Sequence, residues 1–149
     1  MKILIVEDDG FSKELLRLTL SKYGTCDLAE NGAEAIAAVE KAMAAGKPYD
    51  LACMDIMMPE MDGMEALKKI RQLEFKYYGE GLPSTKIIMV TAKGQARDIT
   101  DAMSGGCEAY LTKPVDRVKL IEQMRELGLL GKPNDNNPDK SDPDSIVKL

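Results

Sequence analysis

Five short apolar runs alternate with segments of helical period along most of this chain, and that alternation restricts the fold more than any other feature. The runs are Lys2–Val6 (KILIV), a weaker Thr25–Ala29, Leu51–Met54 (LACM), Lys86–Val90 (KIIMV) and Glu108–Thr112. A strand apolar at consecutive positions is buried on both faces, as in parallel sheets. The intervening segments read as helices. The first has Ser12 as its expected N-cap, runs to about Tyr23 and carries Phe11, Leu15 and Leu18 on one face. The second places Ile36, Val39 and Met43 at helical spacing after the Asn31-Gly32 turn and ends at Gly46-Lys47-Pro48. The third carries Leu67, Ile70 and Leu73 to about Tyr77. The fourth spans about Ala96 to Met103 and stops at Gly105-Gly106. The fifth is capped by Asp116 and buries Leu120, Met124 and Leu127. Strands alternating with helices imply parallel pairing through right-handed crossovers. The expected fold is α/β: a five-stranded parallel sheet, doubly wound by helices into a three-layer (βα)5 sandwich.

The 149 residues suit one domain. The composition changes near residue 128. Gly131 to Ser145 reads GKPNDNNPDKSDPDS, without a large apolar side chain, and burial there cannot offset the entropy of ordering. The expected organisation is a domain over 1–127 and a flexible polar C-terminal tail over 128–149.

Other chemistries are excluded by what is absent or sparse. The chain has no histidine, which removes His general bases, His metal ligands and phosphohistidine on the chain itself. Cys26, Cys53 and Cys107 are too scattered for a zinc site and read as buried free thiols. Lys and Arg number 20 against 25 Asp and Glu, with no basic cluster, and aromatics are 5% with no Trp, so nucleic acid is not an expected partner. No apolar run approaches the roughly 20 residues of a membrane span, and the N-terminus is charged too early for a signal peptide. The expectation is a cytoplasmic protein that does not insert in a membrane.

In open α/β sheets, ligands bind beyond the carboxyl ends of the strands. Glu7, Asp8 and Asp9 follow the first run, Asp55 the third, Thr91 the fourth and Lys113 the fifth. One rim thus gathers carboxylates, a hydroxyl and an ammonium. Clustered acids repel unless a cation joins them, and Mg²⁺ suits oxygen ligands. A carboxylate, a divalent ion, a Lys and a hydroxyl around one point are the parts of a phosphoryl-transfer site. Each residue alone reads as an ordinary turn, cap or surface charge; their convergence on one rim does not.

These pieces resemble the receiver domain of two-component response regulators, the CheY-like family. The matching stretches are ILIVEDD at 3–9, MDIMMPEMDG at 54–63, IIMVTA at 87–92 and AYLTKPV at 109–115, in the family's order and spacing over about 1–127. The resemblance implies a flavodoxin-like fold and a set of roles. Asp55 would accept a phosphoryl group from a histidine kinase or histidine phosphotransfer protein. Asp8, Glu7, Asp55 and the backbone carbonyl of Met57 would hold Mg²⁺. Thr91 and Lys113 would contact the phosphoryl group, and Thr91 with Tyr110 would form the switch. Pro114 would follow a cis peptide. Met57 and Lys93 would tune phosphoryl lifetime. The signal would leave through the face of the fourth helix, fifth strand and fifth helix to a downstream protein. With no DNA-binding domain expected after residue 127, the open routes are protein contact, homodimerisation and onward phosphotransfer. The chain would not be an enzyme beyond catalysing its own phosphorylation and dephosphorylation.

Three rival readings stand beside this one. A Mg²⁺-dependent phosphohydrolase of the haloacid-dehalogenase type wants DxDx[TV] after the first strand, where this chain has EDDGF. A flavodoxin-like cofactor binder needs a phosphate-cradling loop, which Glu7-Asp8-Asp9 would repel. A pseudo-receiver would keep the fold as an interaction module without phosphorylation.

Overall fold

The computed structural model describes residues 1–58, 61–80, 85–92 and 96–131, and the side chains of 96–99 lie outside that description. Among the described residues ten elements alternate: β1 (Lys2–Val6), α1 (Gly10–Leu20), β2 (Thr25–Ala29), α2 (Gly32–Ala44), β3 (Leu51–Asp55), α3 (Gly63–Tyr78), β4 (Lys86–Thr91), α4 (Ala96–Ser104), β5 (Ala109–Thr112) and α5 (Arg117–Glu126). The chain divides into two compact units, Met1–Val115 and Asp116–Leu149.

The first unit holds one five-stranded sheet of order β2-β1-β3-β4-β5, with every neighbouring pair parallel. The winding reverses between β1 and β3, which sets the switch point between their carboxyl ends. The central strands β1, β3 and β4 are buried almost throughout, as their unbroken apolar runs require. β2 and β5 are edges. The largely exposed side chains of β2 explain why its sequence signal was the weaker one.

Leu4, Val6, Ala52, Met54, Ile87 and Met89 point to one face of the sheet. There they join Ala35, Val39 and Met43 of α2, Ala66, Leu67 and Ile70 of α3, and Ala102 of α4 in a single cluster. Ile3, Ile5, Ile88 and Val90 take the alternate positions and are buried outside that cluster, as are Leu16 and Leu20 of α1. α1 therefore covers the opposite face, and three layers are present within this unit alone.

Two expectations about α1 are corrected. Its N-cap is Asp9, whose carboxylate accepts from the Ser12 amide at 2.9 Å; Ser12 lies inside the first turn. Its buried residues are Leu16 and Leu20, while Phe11, Leu15 and Leu18 are 75%, 49% and 53% exposed. Leu15, Leu16, Leu18 and Leu20 offer apolar stripes at more than one phase, and only packing against the sheet selects the Leu16/Leu20 one. α1 also ends at Leu20 rather than at about Tyr23; the other element ends differ from expectation by a residue or so, as fraying termini do.

In the second unit, Asp116 caps α5 by accepting from the Val118 and Lys119 amides. Leu120, Ile121 and Met124 are buried, Leu127 is half-buried, and Gly128 at φ 78° ends the helix. The proposed tail lies largely outside the described residues, which end at 131.

Candidate functional site

The sheet register brings the candidate residues to one level. Val6, the last residue of β1, lies opposite Met54, so Glu7 and Asp55 come next at neighbouring strand ends. Asp55 lies opposite Val90, and Thr91 lies opposite Thr112, which places Thr91 and Lys113 at the same rim. The Lys113 amide donates to the Thr91 carbonyl at 2.8 Å, and the Lys113-Pro114 bond is cis.

β3 ends in a tight connection. The Gly63 amide donates to the Ile56 carbonyl at 2.9 Å, and Asp62 caps α3 by accepting from the Glu65 amide at 2.9 Å. A Cβ on Gly63 would stand 2.2 Å from the Asp55 carbonyl oxygen, so only glycine lets α3 start this close to the strand end.

Lys113 Nζ lies 2.9 Å from Asp55 Oδ2 and 2.6 Å from Glu7 Oε1. Asp55 Oδ1 accepts from the Met57 amide at 3.1 Å. Carboxylate oxygens of Glu7, Asp8 and Asp55 all lie within 4.8 Å of one another, Asp8 exposed and the other two buried. Glu7 is pushed up to about 7, by burial first and then by the facing Asp55 carboxyl, against the pull of Lys113. For Lys113, burial works to lower the pKa, but its bonds to Glu7 and Asp55 outweigh that and raise it. The donor set fits a hard divalent cation: oxygen ligands only, one of them solvent-facing, with more negative charge than a single ammonium can offset.

Thr91 is fully buried, and its Oγ1 donates to the Ala92 carbonyl at 3.4 Å rather than to Asp55. Tyr110 is 41% exposed on β5. Met57 is exposed at the mouth of the site, whereas Lys93 lies outside the described residues. Asp9, grouped with the rim acids by sequence, is spent on the α1 cap; its carboxyl is held below the usual range by the Ser12 amide and hydroxyl. The Met57 amide is a contact of Asp55 that sequence reasoning missed, because a backbone donor carries no signal in residue type.

Residues 3–125 match the family model described as the response regulator receiver domain. The chain is 34% identical over 127 residues to the chemotaxis protein CheY of Bacillus subtilis, covering 84% of this chain and 95% of that protein. Other relatives are far longer: at 35% identity over 83% of this chain, the match spans 12% of probable histidine kinase 2 of Oryza sativa subsp. indica. Among solved structures, the receiver domain of Ssk1 from Saccharomyces cerevisiae, crystallised with the histidine phosphotransfer protein Ypd1, superposes with a TM-score of 0.72 at 32% identity, over 86% of this chain and 88% of that one. The receiver domain of sensor histidine kinase PA1611 from Pseudomonas aeruginosa, with magnesium coordinated in its active-site cleft, superposes with a TM-score of 0.69 at 27% identity, over 85% and 97%. No helix of the described residues is long and apolar enough to cross a membrane. The fold, the acidic rim and these likenesses agree, and the chain belongs to the response regulator receiver domain family of two-component signalling.

Proposed function

We propose that this chain is a phosphoacceptor, with Asp55 taking a phosphoryl group from a phosphohistidine of a kinase or phosphotransfer protein. The observation that carries the reading is Lys113 Nζ seated between Asp55 Oδ2 and Glu7 Oε1 at the rim of the sheet. An Asp55 carboxylate oxygen attacks phosphorus, the P–N bond breaks, and its electron pair leaves with the imidazole of the donor. The product is an acyl phosphate on Asp55. Lys113 is within reach of an oxygen of the arriving group and can release Glu7 and Asp55 to do so. The Met57 amide holds Asp55 Oδ1, leaving Oδ2 on the Lys113 side. Glu7, Asp8, Asp55 and the Met57 carbonyl are the residues that would hold Mg²⁺. When bound, the ion supplies positive charge against the carboxylates and the phosphoryl oxygens.

Thr91 would turn its hydroxyl from the Ala92 carbonyl to the phosphoryl group. Tyr110 on the neighbouring strand would follow, altering the surface of α4 and β5 for a downstream protein. The exposed Phe11, Leu15 and Leu18 on α1, which begins beside Asp9, support a protein as the phosphodonor.

Incubation with acetyl phosphate and Mg²⁺, followed by intact mass, tests the reading. The wild type is expected to gain one phosphoryl group, in a reaction abolished by chelation and by Asp55→Asn. No gain, together with no Mg²⁺ binding, would overturn it and leave an interaction module of the same fold.

A further inference from the structure

At the opposite end of the sheet from the acidic rim, Arg71 of α3 uses its whole guanidinium. Nε and Nη2 donate to the Gly106 carbonyl at 3.0 and 2.8 Å, and Nη2 meets both Glu108 carboxylate oxygens at 2.9 and 2.8 Å. Nη1 donates to the Thr85 carbonyl at 2.9 Å and to Glu74 Oε1. The carboxylates in turn hold the strands. Glu74 Oε2 accepts from the Thr85 amide at 2.7 Å, and Glu108 Oε2 accepts from the Ile87 amide at 2.6 Å. The Glu108 amide donates back to the Ile87 carbonyl at 3.0 Å. Glu108 thus closes a two-bond ring with Ile87 at the point where β5 joins β4, and Arg71 fixes the side chain that closes it. The left-handed φ of 101° at Gly106 presents its carbonyl to Arg71.

The pinned strand is paired on one side only, to β4. β5 is four residues long, lies at the edge of the sheet and alternates buried with exposed positions. Buried Ala109 and Leu111 already oppose a slip of one residue, which would turn them outward; what they leave open is how firmly the short strand is held at its amino end. The far end of the same strand delivers Lys113, whose amide meets the Thr91 carbonyl. We infer that Arg71, acting through Glu108, is a positioning residue for Lys113: it anchors β5 at the amino end and thereby sets the reach of the ammonium toward Asp55 and Glu7. The acids that would hold a metal follow β1 or end β3, away from this anchor. The inference rests on the phosphoacceptor reading for its chemical consequence, but its structural part stands apart from it.

The test uses Arg71→Lys, which keeps a charge but loses the fork, and Glu108→Gln, which keeps an acceptor for the Ile87 amide. Amide hydrogen exchange should quicken at Glu108 and, at the remote end, at Lys113. The amides of Glu7 and Ile56, bonded to the Ala29 and Val90 carbonyls, should keep their rates. Arg71→Lys should slow phosphorylation by acetyl phosphate on the order of 10-fold to 100-fold, with the Mg²⁺ dissociation constant unchanged. In a Lys113→Ala background it should have no further effect. An unchanged Lys113 amide, or an equal loss of rate with and without Lys113, would overturn the inference and leave Arg71 as a staple of the fold. If the wild type takes no phosphoryl group at all, the phosphoacceptor reading fails, while the exchange measurement still decides the anchor.

Discussion

Glu7 shows burial and ion pairing working against each other in one side chain. Its carboxyl is buried beside another carboxyl, and Lys113 must serve both. Its pKa of about 7, against an ordinary 4.5, means that between those values the folded chain holds a proton the unfolded chain has released. Stability therefore falls as pH rises through that window and stays lowered above it. Glu7→Gln should flatten this dependence. In the presence of a chelator at pH 8 it should stabilise the chain by on the order of 2–3 kcal/mol, read from urea midpoints across pH. With saturating Mg²⁺ the order should reverse, because the variant gives up a ligand. Glu7, Asp55, Thr91 and Lys113 were legible from sequence because each directly follows, or ends, an apolar run. Their distances were not, and neither was Arg71, whose partners Glu108, Gly106 and Thr85 are joined to it only by folding.

The helix α1 records how far periodicity carries. Its position after β1 followed from the pattern, but its buried face did not, because several leucines compete for it. The side chain of Asp9 caps the start, and packing against the sheet decides the phase, burying Leu16 and Leu20. The corrected phase makes a sharp distinction. Replacing Phe11, Leu15 or Leu18 with Ser should change unfolding free energy by no more than about 0.5 kcal/mol each. Leu16→Ala and Leu20→Ala should each cost about 2–5 kcal/mol by opening a cavity against the sheet. Equal losses in both sets, measured by chemical denaturation, would show the phase to be wrong. The strands left less open, since the central run of each of β1, β3 and β4 is apolar throughout and no choice of phase arises.

Taken together, the acidic rim makes the stability of the first unit depend on what binds there. Charges from three strand ends are held close without a full set of counter-charges, a cost that a divalent cation would offset. Mg²⁺ at 100 times its dissociation constant should add about 2.7 kcal/mol to unfolding free energy, seen as a rise in melting temperature. Asp8 is exposed, so Asp8→Ala should leave the metal-free melt within about 0.5 kcal/mol of wild type while removing most of the Mg²⁺-dependent rise. A full rise in the variant would remove Asp8 from the ligand set.

The order of elements, their parallel pairing and the rim on which the reactive side chains gather were all determined by local sequence. A run apolar at every position must be buried on both faces, and alternation with helices leaves parallel crossover as its topology. Three things required the folded chain: the seating of Lys113 between Asp55 and Glu7, the raised pKa of Glu7, and the anchoring of β5 by Arg71. Each depends on distances between segments far apart in sequence, and on the exclusion of water from a space that exists only once those segments are packed.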